Sequence, residues 1–160
     1  SKPDLDIEKT NLRSTIKSVL KDLEYLISEK EAVIDVYVKD SCHLTVNRSY
    51  LYSIFQNLIT NGLKYKHPNR IPEILIASDC LPDRTVITIK DNGIGIDLNK
   101  FGKHMFELYK TFHNNPDAEG VGLYLVKNQI EAYGGTIEVE SVVDEGTTFI
   151  ITLPNKKIQY

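Results

Sequence analysis

Along residues 13 to 29, Ile16, Val19, Leu20, Leu23, Leu26 and Ile27 recur three and four positions apart, the spacing that lines one face of an α-helix. The pattern changes at "AVIDVYVKD". There Ile34, Val36 and Val38 alternate with Asp35 and Tyr37 in the two-residue period of a strand, and a further short strand is expected over residues 43 to 46. Asn47 suits a helix N-cap, and Leu51, Ile54, Phe55, Leu58 and Ile59 form the apolar side of a second helix that runs to about Tyr65. "KHPNRIP" ends it, because two prolines and an asparagine cannot continue a helix. "EILIAS" and "RTVITIK" then read as a hairpin turning around Pro82 and Asp83. Residues 92 to 120 hold four glycines and one proline with no clean period, a long connection of the kind compact domains use as functional lids. A third helix is expected from about Val121 to Tyr133, with Leu123, Val126, Ile130 and Tyr133 on one side and Gly134-Gly135 as its stop. "TIEVESV" and "TTFIITLP" close the chain as a last hairpin.

Three helices and at least five strands, mostly joined as hairpins, predict an α+β two-layer sandwich: a mixed, mostly antiparallel sheet with the helices on one face. Residues 1 to 10 are polar, include Pro3 and read as a linker, leaving residues 11 to 160 as one domain. No repeat or low-complexity tract interrupts it. With 41% hydrophobic and 26% charged residues the chain has the composition of a soluble globular fold. The net charge of −3, from 19 basic and 22 acidic residues, gives no bulk field for nucleic acid or an anionic membrane. No apolar run approaches the roughly 18 residues of a membrane span, and "SKPDLDIEKT" lacks the basic-then-apolar order of a signal peptide. Cys42 and Cys80 show neither C-x-x-C spacing nor a histidine pair at zinc spacing, so two reduced intracellular thiols are expected rather than a metal cluster or a disulfide framework.

Three clusters carry candidate chemistry. In the second helix Asn57, Asn61 and Lys64 stand at i, i+4 and i+7 and form one polar stripe beside the apolar face. Such a stripe serves as solvated surface or, with the lysine, as a ligand cleft: an asparagine carbonyl is a hard oxygen ligand for Mg²⁺, and a lysine neutralises phosphate. In "DNGIGID" Asp91 offers acceptor oxygens at a strand end, able to read an exocyclic amine, while Gly93 and Gly95 allow unusual backbone conformations and close approach; a plain turn would use the same residues. In "EGVGLYLVK" Gly120 and Gly122 stand at a helix start, where free N–H groups favour an anion and where a hinge would look the same.

Their order, N-x-x-x-N-x-x-K, then D-x-G-x-G, then a lid, then G-x-G-L on a helix, resembles the catalytic ATP-binding domain of sensor histidine kinases, within the superfamily that includes gyrase, Hsp90 and MutL. The resemblance covers almost the whole chain: "QNLITNGLKY" is similar to the N box, "DNGIGI" to the G1 box, "HMFELYKTFH" to the F box, and "GVGLYLVKNQIEAYGGTIEVESVVDEGTTFIITLP" to the G2 box and closing hairpin. It implies a Bergerat-type fold and two-component signal transduction. ATP would bind with Mg²⁺, and its γ-phosphoryl group would pass to a histidine on an upstream helical dimerisation domain and from there, indirectly, to a response regulator receiver domain. The location implied is cytoplasmic, in a parent protein that membrane anchoring would also suit, with no direct membrane contact by this domain and no nucleic acid. By the same resemblance Asn61 is the metal ligand, and Asn57 lies near the γ-phosphate where sister families place a glutamate base. Lys64 meets phosphate, Asn57 and Lys64 being the catalytic pair. Tyr65 lines the pocket, Asp91 accepts from the adenine amine, and Gly93 and Gly95 let the backbone approach the base. Phe106 anchors the lid, and Gly120, Gly122 and Leu123 close the phosphate side, with Ile96, Lys110, Val121 and Thr148 also lining the nucleotide.

The chain departs from the pattern at Ala118, where the G2 box usually has glycine, and at Tyr109, Lys110 and Thr111, where an F-box arginine is common; Lys110 would supply the charge without the bidentate fork. His43, His67, His104 and His113 are followed by Leu44, Pro68, Met105 and Asn114, so none has the acidic neighbour of the family's phosphoacceptor. The alternatives are an anti-sigma-type serine kinase, an ATPase clamp, disfavoured by an amide at position 57, and a degenerate nucleotide-binding or interaction module.

Overall fold

A computed structural model of the chain describes residues 6 to 107 and 122 to 156. The elements run β1 (Glu8–Asn11), α1 (Leu12–Asp22), α2 (Glu24–Glu29), β2 (Val33–Tyr37), β3 (His43–Val46), α3 (Arg48–Lys64), β4 (Glu73–Cys80), β5 (Arg84–Asp91), α4 (Leu98–Phe101), α5 (Gly122–Tyr133), β6 (Thr136–Val142) and β7 (Gly146–Pro154). Five strands form one sheet in the order β2-β4-β5-β7-β6, with β2 parallel to β4 and every other pair antiparallel. This is the mixed, mostly antiparallel sheet that the hairpin pattern predicts, with α1, α3 and α5 on one face.

Alternation does the sorting. Ile74 and Ile76 of β4, Ile87 and Ile89 of β5, and Phe149, Ile151 and Leu153 of β7 are all buried on the helix side. They meet Leu51, Ile54, Phe55, Leu58, Ile59 and Leu63 of α3 and Leu123, Val126 and Ile130 of α5 in a single apolar core. Each such side chain contributes roughly 1.5–3 kcal/mol through burial, so the seventeen-residue α3, which buries seven of its residues, is the main strut of the helical layer. Its start is fixed by Asn47, whose side chain accepts the Tyr50 N–H at 3.1 Å. In the same way Asn11 caps α1 by accepting the Ser14 N–H at 2.8 Å. Helix α5 stops at Gly134, whose φ of +92° suits glycine.

The structure corrects three expectations. The first helix is two helices that meet at Leu23, the second burying none of its residues; no glycine or proline marks the break, so the apolar period runs through it. The expected linker is partly folded: β1 pairs antiparallel with β3, Thr10 beside Leu44, and Thr10 is buried. Finally, Cys42 and Cys80 are joined in a disulfide, their Cα atoms 6.1 Å apart. Cys42 precedes β3 and Cys80 ends β4, so the bond ties the small β1-β3 sheet to the large one. Its loop of 38 residues restricts the unfolded chain, an effect worth about 3–4 kcal/mol in the chain-entropy account. Cys80 is exposed, so Cys80→Ser removes the link without burying a hydroxyl. It should lower the urea midpoint, and reductant should move the wild type to the same value while leaving the variant where it is; coincident midpoints for oxidised and reduced wild type would contradict this.

Candidate functional site

All three chemical clusters adjoin α3. Just past its midpoint, Asn57 uses its amide N–H groups within the helix, donating to the Ser53 carbonyl at 2.8 Å and to Ser53 Oγ at 3.3 Å. Its Oδ1 faces α5, where a side chain on Gly122 would lie 3.0 Å away. Asn57 therefore offers the site an acceptor oxygen. One turn on, the half-buried Asn61 side chain hydrogen-bonds to none of the described residues, and the exposed Lys64 ammonium pairs with no carboxylate among them. These are a neutral oxygen and a cation with no competing partner among the described residues, in line on one helix face.

Beside the last turn of α3, against Gly62, lies Asp91, the last residue of β5. Its Oδ1 accepts two backbone N–H groups, from Gly93 at 2.9 Å and from Thr147 at 3.2 Å. Gly62 of α3 has no side chain to cover it: a Cβ there would stand 3.5 Å from Oδ2. One carboxylate oxygen is held by two backbone N–H groups, and the other accepts no hydrogen bond among the described residues. Burial raises the Asp91 pKa above the ordinary carboxylate value, against the lowering effect of the two backbone bonds.

The glycines of the "DNGIGID" loop have partners other than the base that the resemblance implies. A Cβ on Gly93 would sit 2.4 Å from the Tyr65 carbonyl, and one on Gly95, whose φ is +73°, 2.1 Å from the Val142 carbonyl. Both are needed so that the loop can press between the end of α3 and the β6–β7 turn. The contact is sealed by Ile94 N–H to the Tyr65 carbonyl at 2.9 Å and Asp144 N–H to the Ile94 carbonyl at 2.8 Å. Half-buried Tyr65 stands at this junction, its phenol pKa raised by burial. Ile96 is in the core and its N–H donates to Ser141 Oγ at 2.8 Å.

The remaining predicted residues divide. Phe106 is half-buried against the core with the Lys127 ammonium 5.6 Å from its ring centroid, which joins the F-box segment to α5, and Leu123 is buried. Thr148 lies on the opposite, helix-free face of the sheet, in register with Lys90 and Glu140, because neighbouring strand residues point to opposite sides. Its neighbour Thr147 turns inward to Asp91 and shares a 2.8 Å hydrogen bond with Ser141 Oγ. Thr147 is thus the hairpin residue beside the carboxylate; the doubled threonine of "GTTF" leaves the face undecided by one position. Lys110, Gly120 and Val121, with Tyr109, Thr111, Phe112, His113 and Ala118, lie outside the described residues. Asn92, for which no separate role was expected, accepts the Glu73 N–H at 2.9 Å and donates to the Ile71 carbonyl at 3.0 Å, fastening the loop to the start of β4.

The chain resembles known proteins in sequence and in fold. The pattern of the family described as histidine kinase-, DNA gyrase B-, and HSP90-like ATPase matches residues 46–157. The chain belongs to this family. Among its relatives, sensor protein BceS of Halalkalibacterium halodurans is 34% identical over 96% of this chain and 45% of its own length. The phytochrome-like protein Cph1 of Synechocystis sp. is 33% identical over 91% of this chain. The chain spans 19% of that second relative and less than half of the first. The fold is that of the histidine kinase catalytic domains: the catalytic domain of ThkA superposes with a TM-score of 0.81 at 20% identity, covering 94% of this chain and 98% of that one. Sensor histidine kinase MprB gives 0.78 at 22% identity over 95% and 99%.

For this histidine kinase-like ATPase domain, a carboxyl whose folded pKa is raised contributes stability that is fully present below its unfolded value and is lost as pH rises through the folded value. Asp91→Asn has no such proton to lose. The stability of the variant relative to wild type should therefore increase with pH, starting in the ordinary carboxylate range, and become level above the Asp91 midpoint. Carboxyl-carbon NMR should place that midpoint above an ordinary aspartate's; one at or below it would show that the two backbone bonds outweigh burial.

Proposed function

We propose that this domain binds Mg-ATP and presents the γ-phosphoryl group to a histidine on a separate helical domain, which in turn would supply a response regulator. The observation that carries the reading is Asp91: a partly buried carboxylate with one oxygen held by two N–H groups and the other facing a side-chain-free helix position is suited to an exocyclic amine such as that of adenine. ShkA, a structural neighbour with a TM-score of 0.80 at 18% identity, is described in complex with AMPPNP, an ATP analogue, which fits the same assignment.

From that anchor the nucleotide would extend along α3, placing its phosphates by Asn57, Asn61 and Lys64. The donor set fits Mg²⁺: among the described residues the Asn61 carbonyl is a hard neutral oxygen without a hydrogen-bond partner, and no cluster of three or more His, Cys, Asp or Glu competes for a cation. When bound, the ion would neutralise and orient phosphate oxygens. Lys64 adds a second positive charge on the same side. Phosphoryl transfer asks the protein mainly for position and charge balance, and these residues supply both.

Asn57 decides the kind of acceptor. Its N–H groups are engaged by Ser53, so it offers only an acceptor oxygen, and an amide cannot take a proton from water near neutral pH. The site is therefore better matched to an imidazole, which needs no base to be nucleophilic, than to hydrolysis by water. No helix among the described residues is long and apolar enough to cross a membrane, and the domain would work in the cytoplasm beside whatever anchors its parent.

Asp91→Asn should weaken Mg-ATP binding by more than about 1 kcal/mol, roughly fivefold, the scale of a charged hydrogen bond; unchanged affinity by calorimetry would remove Asp91 from the site. Asn61→Ala should abolish the Mg²⁺ dependence of nucleotide binding, and metal titrations identical to wild type would refute its role as ligand. Supplied with labelled ATP and a histidine-bearing helical hairpin from a relative, the domain should yield an acid-labile, base-stable phosphoprotein. An acid-stable product would indicate a hydroxyl acceptor and a serine kinase.

A further inference from the structure

The turn between α3 and β4 contains an arginine that no reading of the nucleotide site has used. Exposed Arg70 makes no ion pair among the described residues; its guanidinium is spent on backbone carbonyls. Nε and Nη2 donate to the Asn92 carbonyl at 3.1 and 2.8 Å, and Nη2 also reaches the carbonyls of Gly93 at 3.1 Å and Asp144 at 2.5 Å. The Asn92 carbonyl and the Gly93 N–H belong to one peptide unit, and every peptide bond among the described residues is trans. In a planar trans peptide these two groups point in opposite directions. The guanidinium grips one end of the unit while the other end donates to Asp91 Oδ1 at 2.9 Å. Asp144, held by the same nitrogen, lies in the β6–β7 turn three residues before Thr147, the second N–H donor to Oδ1.

We infer that Arg70 is the positioning residue for base recognition: by clamping the Asn92–Gly93 peptide and the β6–β7 turn it aims both N–H donors at Asp91 Oδ1 and so leaves Oδ2 to the ligand. The inference rests on Asp91 as the base-reading group. The chemistry favours an arginine. Three carbonyls from two segments converge on one planar fork, and a positive charge on the carbonyl end of a peptide polarises its N–H toward the carboxylate. Lysine would bring a point charge without the fork.

The test measures Mg-ATP, Mg-GTP and magnesium triphosphate binding by calorimetry for wild type, Arg70→Ala and Arg70→Lys. Guanine lacks the exocyclic amine opposite Asp91, and triphosphate lacks a base, so a base-end defect separates from a phosphate-end one. Arg70→Ala should weaken ATP about tenfold, narrow the ATP-to-GTP preference and leave triphosphate unchanged. Arg70→Lys should fall between, and millimolar methylguanidinium should restore affinity to Arg70→Ala. Equal losses for all three ligands would make Arg70 a mere structural staple and overturn the inference, as would wild-type affinity and selectivity in Arg70→Ala. If Arg70→Ala does not fold, Arg70→Lys is read by the same two criteria: reduced ATP preference with unchanged triphosphate supports the inference, and any other pattern overturns it. Failure of the wild type to bind Mg-ATP would instead defeat the reading of Asp91 on which this rests.

Discussion

A carboxylate at the end of β5, held on one side only, is the constraint from which the rest of the site follows. Burial costs the Asp91 anion solvation, and two backbone N–H groups on Oδ1 return part of it. A third donor on Oδ2 would complete the shell and leave nothing for a ligand to do. The chain withholds that donor: α3 presents Gly62 there, and the loop is folded so that its N–H groups reach the other oxygen. Incomplete solvation of one oxygen is what a ligand amine would relieve, which makes the recognition energy a property of the fold as much as of the residue.

Helix α3 converts that local arrangement into a site with two ends. Its apolar face is locked into the core by Leu51, Ile54, Phe55, Leu58, Ile59 and Leu63, so its rotation about its axis is fixed. Fixed rotation puts Asn57, Asn61 and Lys64 along the edge of the buried face. It also brings Gly62 against Asp91 and Asn57 against the first residue of α5. A large-to-small change in the core, such as Phe55→Ala, would loosen both ends at once, since cavities of that size cost about 3–5 kcal/mol and are relieved by helix movement.

How much of this could be read from the sequence follows from how local each signal is. Helix stripes, strand alternation, the caps at Asn47 and Gly134 and the spacing of Asn57, Asn61 and Lys64 are set by neighbours within a few positions, and the structure keeps them. What depends on contacts remote in sequence was not legible. The break at Leu23 carries no glycine or proline; β1 is short and polar and becomes a strand only because β3 lies beside it. The disulfide joins residues 38 positions apart, one just before a strand of the small sheet and one at the end of a strand of the large sheet. At the site, the inward threonine depends on a one-residue register that "GTTF" leaves open. Arg70 and Asn92 look like ordinary turn residues, because their partners are backbone carbonyls and N–H groups, which every residue has.

The two ends of the site differ in how their polar groups are spent. Around Asp91, where the base would bind, Arg70, Asn92, Ser141 and Thr147 are bound to backbone or to one another, and Asp91 Oδ2 accepts no hydrogen bond among the described residues. Along the proposed phosphate side, Asn61 and Lys64 have no side-chain partner among the described residues, and Asn57 Oδ1 accepts no hydrogen bond from them. Rigid donors suit a planar base, whose hydrogen-bonding edge does not change in the reaction, because pre-organisation lowers the entropic cost of binding it. Unspent side chains suit a triphosphate whose charge and length change when the terminal group leaves. A carbonyl and an ammonium that are not engaged elsewhere could follow those oxygens without first breaking a protein contact, so under the proposed function the side where bonds would change is also the side where the fold commits least.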